Sequence, residues 1–168
     1  MRWFVVGLVG LFVAPGCGYR IVGPAAGEPL AVVPAGVVAS ALAEEAVVEG
    51  ARAELAAAGR LASCDPRGEG RCPALVVELV RVEEGGAAPG VATREGAPLA
   101  QAVTWTLRGR AFVRRAEGAP PERVGSDVTV REFAAREDDP TSFHATREES
   151  LRRAAKRLGA LLVRRALE

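Results

Sequence analysis

The sequence predicts an α+β two-layer sandwich, two helices packed on one face of a roughly four-stranded antiparallel or mixed sheet, in the order β-α-β-β-β-α. Three observations carry that expectation. Residues 40–58 and 147–167 repeat apolar side chains at helical spacing. Residues 101–115 alternate with a period of two. The β-branched runs at residues 74–83 and 124–133 lie on either side of that segment, set off by Gly- and Pro-rich connections.

In chain order, residues 30–38 are expected as a first strand, preceded by a Gly- and Pro-rich stretch at residues 19–29 that reads as a tether or as the lead into the strand. Ser40 can cap the first helix, with Leu42, Ala46, Ala53 or Val48, and Leu55 as its apolar stripe and Gly59 as its stop. Gly50 weakens it slightly, because glycine has more backbone freedom to lose. Residues 74–83 read as a central strand, and residues 85–98 as a Gly/Pro-rich connection.

In residues 101–115 the inward set is Val103, Trp105, Leu107, Gly109, Ala111 and Val113. The outward set is Thr104, Thr106, Arg108, Arg110, Phe112 and Arg114. Pro120 and Pro121 lie in the hairpin connection that returns the chain through residues 124–133. The last helix is expected over residues 147–167, with Thr146 and Glu149 forming a capping box at its start. Leu151, Ala154, Ala155, Leu158, Leu161, Leu162 and Ala166 make its buried stripe.

The N-terminus has signal-peptide anatomy: Arg2 gives a short positive region, and the uncharged apolar run at residues 3–13 ends at Ala14-Pro15-Gly16-Cys17. A spanning helix needs about 20 apolar residues, and Pro15 interrupts this run before that length is reached. Small residues before a cysteine at the end of such a run resemble the lipobox of bacterial lipoproteins. Ala14 and Pro15 depart from the leucine and small non-proline residue usual there. The resemblance implies cleavage after residue 16, lipidation of Cys17 and membrane anchoring; Gly18, where an aspartate would retain the protein, implies sorting to the outer membrane. An ordinary secretory signal, leaving Cys17 as a thiol, is the alternative. The expected organisation is a signal at residues 1–16, a lipid anchor and tether at 17–29, and one domain at 30–168.

Charge excludes one broad class. The 168-residue chain carries a formal +1, and loss of the signal, whose only charge is Arg2, takes it to zero, so no global field recruits nucleic acid. Lys156 is the only lysine, and an arginine bias of this kind, with abundant Ala, Gly and Val, suggests a GC-rich genome. Once Cys17 is lipidated, Cys64 and Cys72 form an even pair for an oxidising compartment, and a disulfide is expected. The spacing is neither that of a redox C-x-x-C motif nor that of a zinc knuckle.

No catalytic centre is expected. His144 is the only histidine, and the sequence contains no G-x-S-x-G, H-E-x-x-H or P-loop. Glu137, Asp138 and Asp139 form one short acidic run without further spaced ligands, which reads as a loop rather than a cation site. No metal and no cofactor are expected.

The element order, together with Cys17-Gly18-Tyr19-Arg20 at the mature N-terminus and the phrase from Leu55 to Gly59-Arg60, resembles the LPS-assembly lipoprotein LptE family over most of residues 17–168. Departures are the Cys64–Cys72 loop and the Pro34 to Val38 stretch, which stands where the family has a P-x-x-N phrase. The resemblance implies a non-enzymatic, periplasm-facing outer-membrane lipoprotein that plugs an LptD-type β-barrel and helps insert lipopolysaccharide. Arg108, Arg110, Phe112 and Arg114 are then the candidate contacts with lipopolysaccharide or barrel, because arginine forks bind phosphates and carboxylates bidentately. A solvated sheet face is the plainer reading of the same residues. Other roles consistent with an anchored lipoprotein are a regulator such as a peptidoglycan-synthase activator, a transport accessory subunit, or a lipid carrier.

Overall fold

The computed structural model describes residues 27–36, 40–64, 72–85, 103–115, 120–134 and 140–168. The signal, Cys17, the interior of the cysteine loop and the acidic run from Glu137 to Asp139 lie outside them. The elements are β1 (Ala31–Pro34), α1 (Ala41–Ala57), β2 (Ala74–Gly85), β3 (Val103–Arg114), β4 (Glu122–Ala134) and α2 (Pro140–Leu167), in the expected order β-α-β-β-β-α. They build one four-stranded sheet in the spatial order β1-β2-β3-β4. β1 runs parallel to β2, and the other two pairings are antiparallel, so the sheet is mixed.

The period-two pattern of β3 explains the layering. Trp105, Leu107 and Ala111 are buried on one face, where both helices pack, while Arg108 and its alternates occupy the other. Leu55, Leu75, Leu107, Leu158 and Leu162 are among the largest fully buried side chains and join both helices to the sheet in one core. Burying such a side chain contributes roughly 1.5–3 kcal/mol.

α1 begins where Ser40 accepts a hydrogen bond from the Ala43 N–H and ends before Gly59, whose φ of 66° is the left-handed conformation that closes a helix without a Cβ clash. Ala43, Ala46, Val47, Val48, Gly50, Ala51 and Leu55 are buried. Ala53, expected in the stripe, is exposed, because α1 buries two faces, one on the sheet and one on α2, and Ala53 lies on neither.

Two boundaries correct the sequence expectation. β1 ends at Pro34 rather than reaching Val38: after one more bond to β2 at Ala35, Gly36 at φ 72° turns the chain. α2 begins at Pro140, not Arg147, so Thr146 lies inside the helix and is not its cap. Proline suits a first helical position, where its missing N–H is one that would have no intrahelical partner.

The N-terminal half of α2 is held against the sheet end by a small polar cluster. Ser150 is fully buried; its Oγ accepts from Trp105 Nε1 at 3.1 Å and donates to the Arg147 carbonyl at 2.8 Å. The Arg147 guanidinium stands 5.4 Å from the centre of the Trp105 ring and forks onto the Glu84 carboxylate. At the other end of the sheet, Cys64 and Cys72 form the expected disulfide, with Cα atoms 6.4 Å apart, just ahead of β2.

Candidate functional site

The face of the sheet opposite the helices carries the predicted contact residues. Alternation along β3 puts Thr104, Thr106, Arg108, Arg110, Phe112 and Arg114 there, and register adds Glu78 opposite Arg110, Arg131 opposite Thr106 and Phe133 opposite Thr104. The helices leave this face uncovered, and Phe133 is 60% exposed.

Register also decides what the arginines do. Arg110 on β3 faces Glu78 on β2, and its guanidinium makes two parallel hydrogen bonds of 2.8 Å to the two carboxylate oxygens. The bond to Glu78 raises the Arg110 pKa above its ordinary value, so the side chain stays charged. The same guanidinium lies 5.4 Å from the centre of the Phe112 ring, stacking the charge on an aromatic.

Arg108 forks onto one oxygen of Asp127, through Nε at 2.9 Å and Nη2 at 2.6 Å. Arg123 donates to the other oxygen at 2.5 Å. The bond from Arg108 holds the Asp127 carboxyl below the usual carboxylate range, and the neighbouring arginines add to it. Asp127 reaches Arg108 because β4 is irregular opposite Arg110: Ala111 pairs with Val124 and Gly109 with Val128, so Gly125, Ser126 and Asp127 loop outward. Gly125 makes that possible, with φ at 68° and an absent Cβ whose place would be 2.9 Å from the Arg165 carbonyl of α2.

The expected arginine row is therefore only partly free. Glu78 neutralises Arg110, and Asp127 is shared between Arg108 and Arg123, which leaves that cluster net positive, whereas Arg114 and Arg131 have no ion-pair partner among the described residues. The sequence reading missed the acidic members because they are supplied by neighbouring strands. The surface that results is a lattice of crossed charges with two aromatic rings and two cations, exposed Arg131 and half-buried Arg114, outside the ion pairs. It can meet a partner's carboxylates or phosphates at Arg114 and Arg131 and apolar groups at Phe112 and Phe133. Among the described residues no group of three or more His, Cys, Asp or Glu side chains is placed to hold a metal, and no helix is long and apolar enough to cross a membrane.

No protein-family model and no curated protein matches the chain. Solved structures do share its fold. A minor lipoprotein from Acinetobacter baumannii is 12% identical with a TM-score of 0.51, over 83% of this chain and 92% of that one. A protein from Caulobacter crescentus CB15 described as a lipoprotein is 11% identical with a TM-score of 0.52, over 81% of this chain and 87% of that one. At such identity the likeness establishes a common architecture and does not carry residue roles across.

Proposed function

We propose that this chain is a non-catalytic lipoprotein of the bacterial envelope, lipid-anchored through Cys17, that acts by binding a protein partner. Its most specific form is an LptE-like role: the chain sits at the outer membrane, faces the periplasm and partners or plugs an LptD-type β-barrel in lipopolysaccharide assembly. The single observation that supports this best is the sheet face left uncovered by the helices, where Arg108 and Arg110 are locked in geometry by Asp127 and Glu78 while Phe133 and Arg131 are exposed and Phe112 and Arg114 half-buried beside them. A barrel interior is polar and lined by fixed charges, and a rigid plug needs a face of matching polarity that holds its shape. The sequence around Cys17 supplies the anchor, and the fold shared with two proteins called lipoproteins is consistent with that setting.

A second reading has its own support. Because Arg108 and Arg110 are already engaged by carboxylates of neighbouring strands, the face suits a mixed-charge protein surface better than clustered phosphates. An envelope regulator, such as a peptidoglycan-synthase activator, or a transport accessory subunit would use such a surface without touching glycolipid.

Metabolic labelling with palmitate, combined with density-gradient separation of the two membranes, tests the anchored form of the proposal. Label incorporated into the wild type, absent from Cys17→Ala and recovered in outer-membrane fractions is the expected result. An unlabelled, freely released protein would overturn the anchor.

A further inference from the structure

The charges on the uncovered sheet face do not cancel. Residues directly opposite one another across a sheet share a face, so the register assigns them. Arg81 of β2 stands opposite Arg108 of β3, Glu78 opposite Arg110 and Glu83 opposite Thr106. On the other flank of β3, Arg123 of β4 stands opposite Phe112 and Arg131 opposite Thr106. Asp127 joins this face through its bonds to Arg108 and Arg123. With Arg114, six arginines share the face with the three carboxylates of Glu78, Glu83 and Asp127, an excess of three positive charges among the described residues. Glu84 and Glu132 of the same strands point to the helix side, where Arg147 and Arg153 meet them. Past the end of β3, Arg115 meets Glu28 and Glu122; counting that margin removes one unit and leaves the face positive.

Depth adds to the imbalance. The Glu78 and Asp127 side chains are 15% and 20% exposed, whereas those of their partners Arg110, Arg123 and Arg108 are 38% to 53% exposed. An approaching molecule therefore meets guanidinium before carboxylate. Arg81, which pairs with Glu83 of its own strand, and Arg131 are exposed as well. Arg81, Arg108 and Arg131 stand on three adjacent strands about 4.8 Å apart, in an oblique line with Arg131 furthest along. Half-buried Phe112 lies to one side of that line and exposed Phe133 to the other. Donors that hold a phosphate converge on one anion. Here the guanidiniums are spread one to a strand and flanked by aromatics, which matches separate carboxylates on a protein surface with apolar contacts around them.

We propose that this face recognises an acidic protein surface, one that sets spaced aspartates or glutamates against Arg81, Arg108 and Arg131 and apolar side chains against Phe112 and Phe133. This recognition rests on the binding role proposed above for the same face, and it fixes the sign of the partner's charge.

The test titrates the full-length protein in detergent with a labelled eight-residue peptide of alternating glutamate and valine. Saturable binding is expected, weakened about tenfold or more by Arg81→Glu combined with Arg131→Glu, and weakened by added salt. The same change of net charge placed on exposed helix positions, Arg52→Glu with Arg157→Glu, is expected to leave the affinity unchanged. The peptide with lysine in place of glutamate is expected not to bind. Absence of saturable binding overturns the proposal. So does equal weakening by the helix variant, or a stronger, equally arginine-dependent interaction with phosphatidylglycerol added to the micelles. A partner that co-purifies from the cell's membranes and is retained by the Arg81→Glu, Arg131→Glu protein overturns it too, while leaving the binding role intact. Peptide binding of the expected pattern with no partner recovered supports it and overturns only the LptE-like role.

Discussion

Gly159 of α2 lies so close to Val47 of α1 that a Cβ on the glycine would stand 2.0 Å from the Val47 carbonyl oxygen. The contact is reciprocal, since a Cβ on Gly50 of α1 would stand 2.1 Å from the Lys156 carbonyl oxygen of α2. The two helices therefore meet backbone to backbone, and their spacing sets how both sit on the sheet.

Gly50→Ala and Gly159→Ala are expected to destabilise the fold. On an isolated helix either change would gain about 0.8–1.0 kcal/mol. Here neither carbonyl can move without shifting a helix, and overpacking of that kind typically costs about 1–3 kcal/mol. A lowered urea midpoint at unchanged slope would show the loss, and a raised midpoint would contradict the packing described.

Ser150→Ala removes the hydroxyl that accepts from the buried Trp105 indole N–H. Leaving a buried donor unsatisfied costs about 1–3 kcal/mol. Trp105 is one of two tryptophans, the other being Trp3, so its emission in a Trp3→Phe background reports the change directly. The variant is expected to unfold at lower denaturant with altered native fluorescence.

The disulfide closes a short loop, Cys64 and Cys72 being eight residues apart. Constraining the unfolded chain over so short a span is worth about 2–3 kcal/mol. Cys64→Ser with Cys72→Ser is expected to lower stability by no more than this and to leave circular dichroism unchanged, because the core lies elsewhere.

Asp127 predicts a pH dependence. Its bond to Arg108 lowers its folded pKa, so the unfolded state binds the proton more readily. The stabilisation is complete above the unfolded value of about 3.9 and is lost as pH falls through the lower folded value. Wild type is therefore expected to exceed Asp127→Asn in stability at neutral pH, with the gap closing below about pH 4. A gap that widens in acid would contradict the pairing.

What could be read from the residues follows from the range of each interaction. The alternation in β3 and the apolar spacing of both helices are local, and they predict the fold and the inward and outward sets of β3. The start of α2 was misplaced because Thr146 and Glu149 reproduce a capping box in the middle of a helix that Pro140 begins. Gly50 reads as a weak point when α1 is considered alone; its value is visible only once Lys156 is placed against it. The pairing of Arg108 and Arg110 depends on residues 19 and 32 positions away, and on an irregularity at Gly125 that no periodicity shows. Val163, fully buried, escaped the expected stripe because α2 faces both α1 and the sheet.

The most direct test is a gentle-detergent pull-down of the tagged full-length protein from the membranes of its own cell, with mass spectrometry of what survives a salt wash. The account predicts a near-stoichiometric LptD-type barrel protein, lost when Arg114 and Arg131 are both changed to glutamate. Recovery of the protein alone, or with inner-membrane synthases, would contradict the LptE-like role.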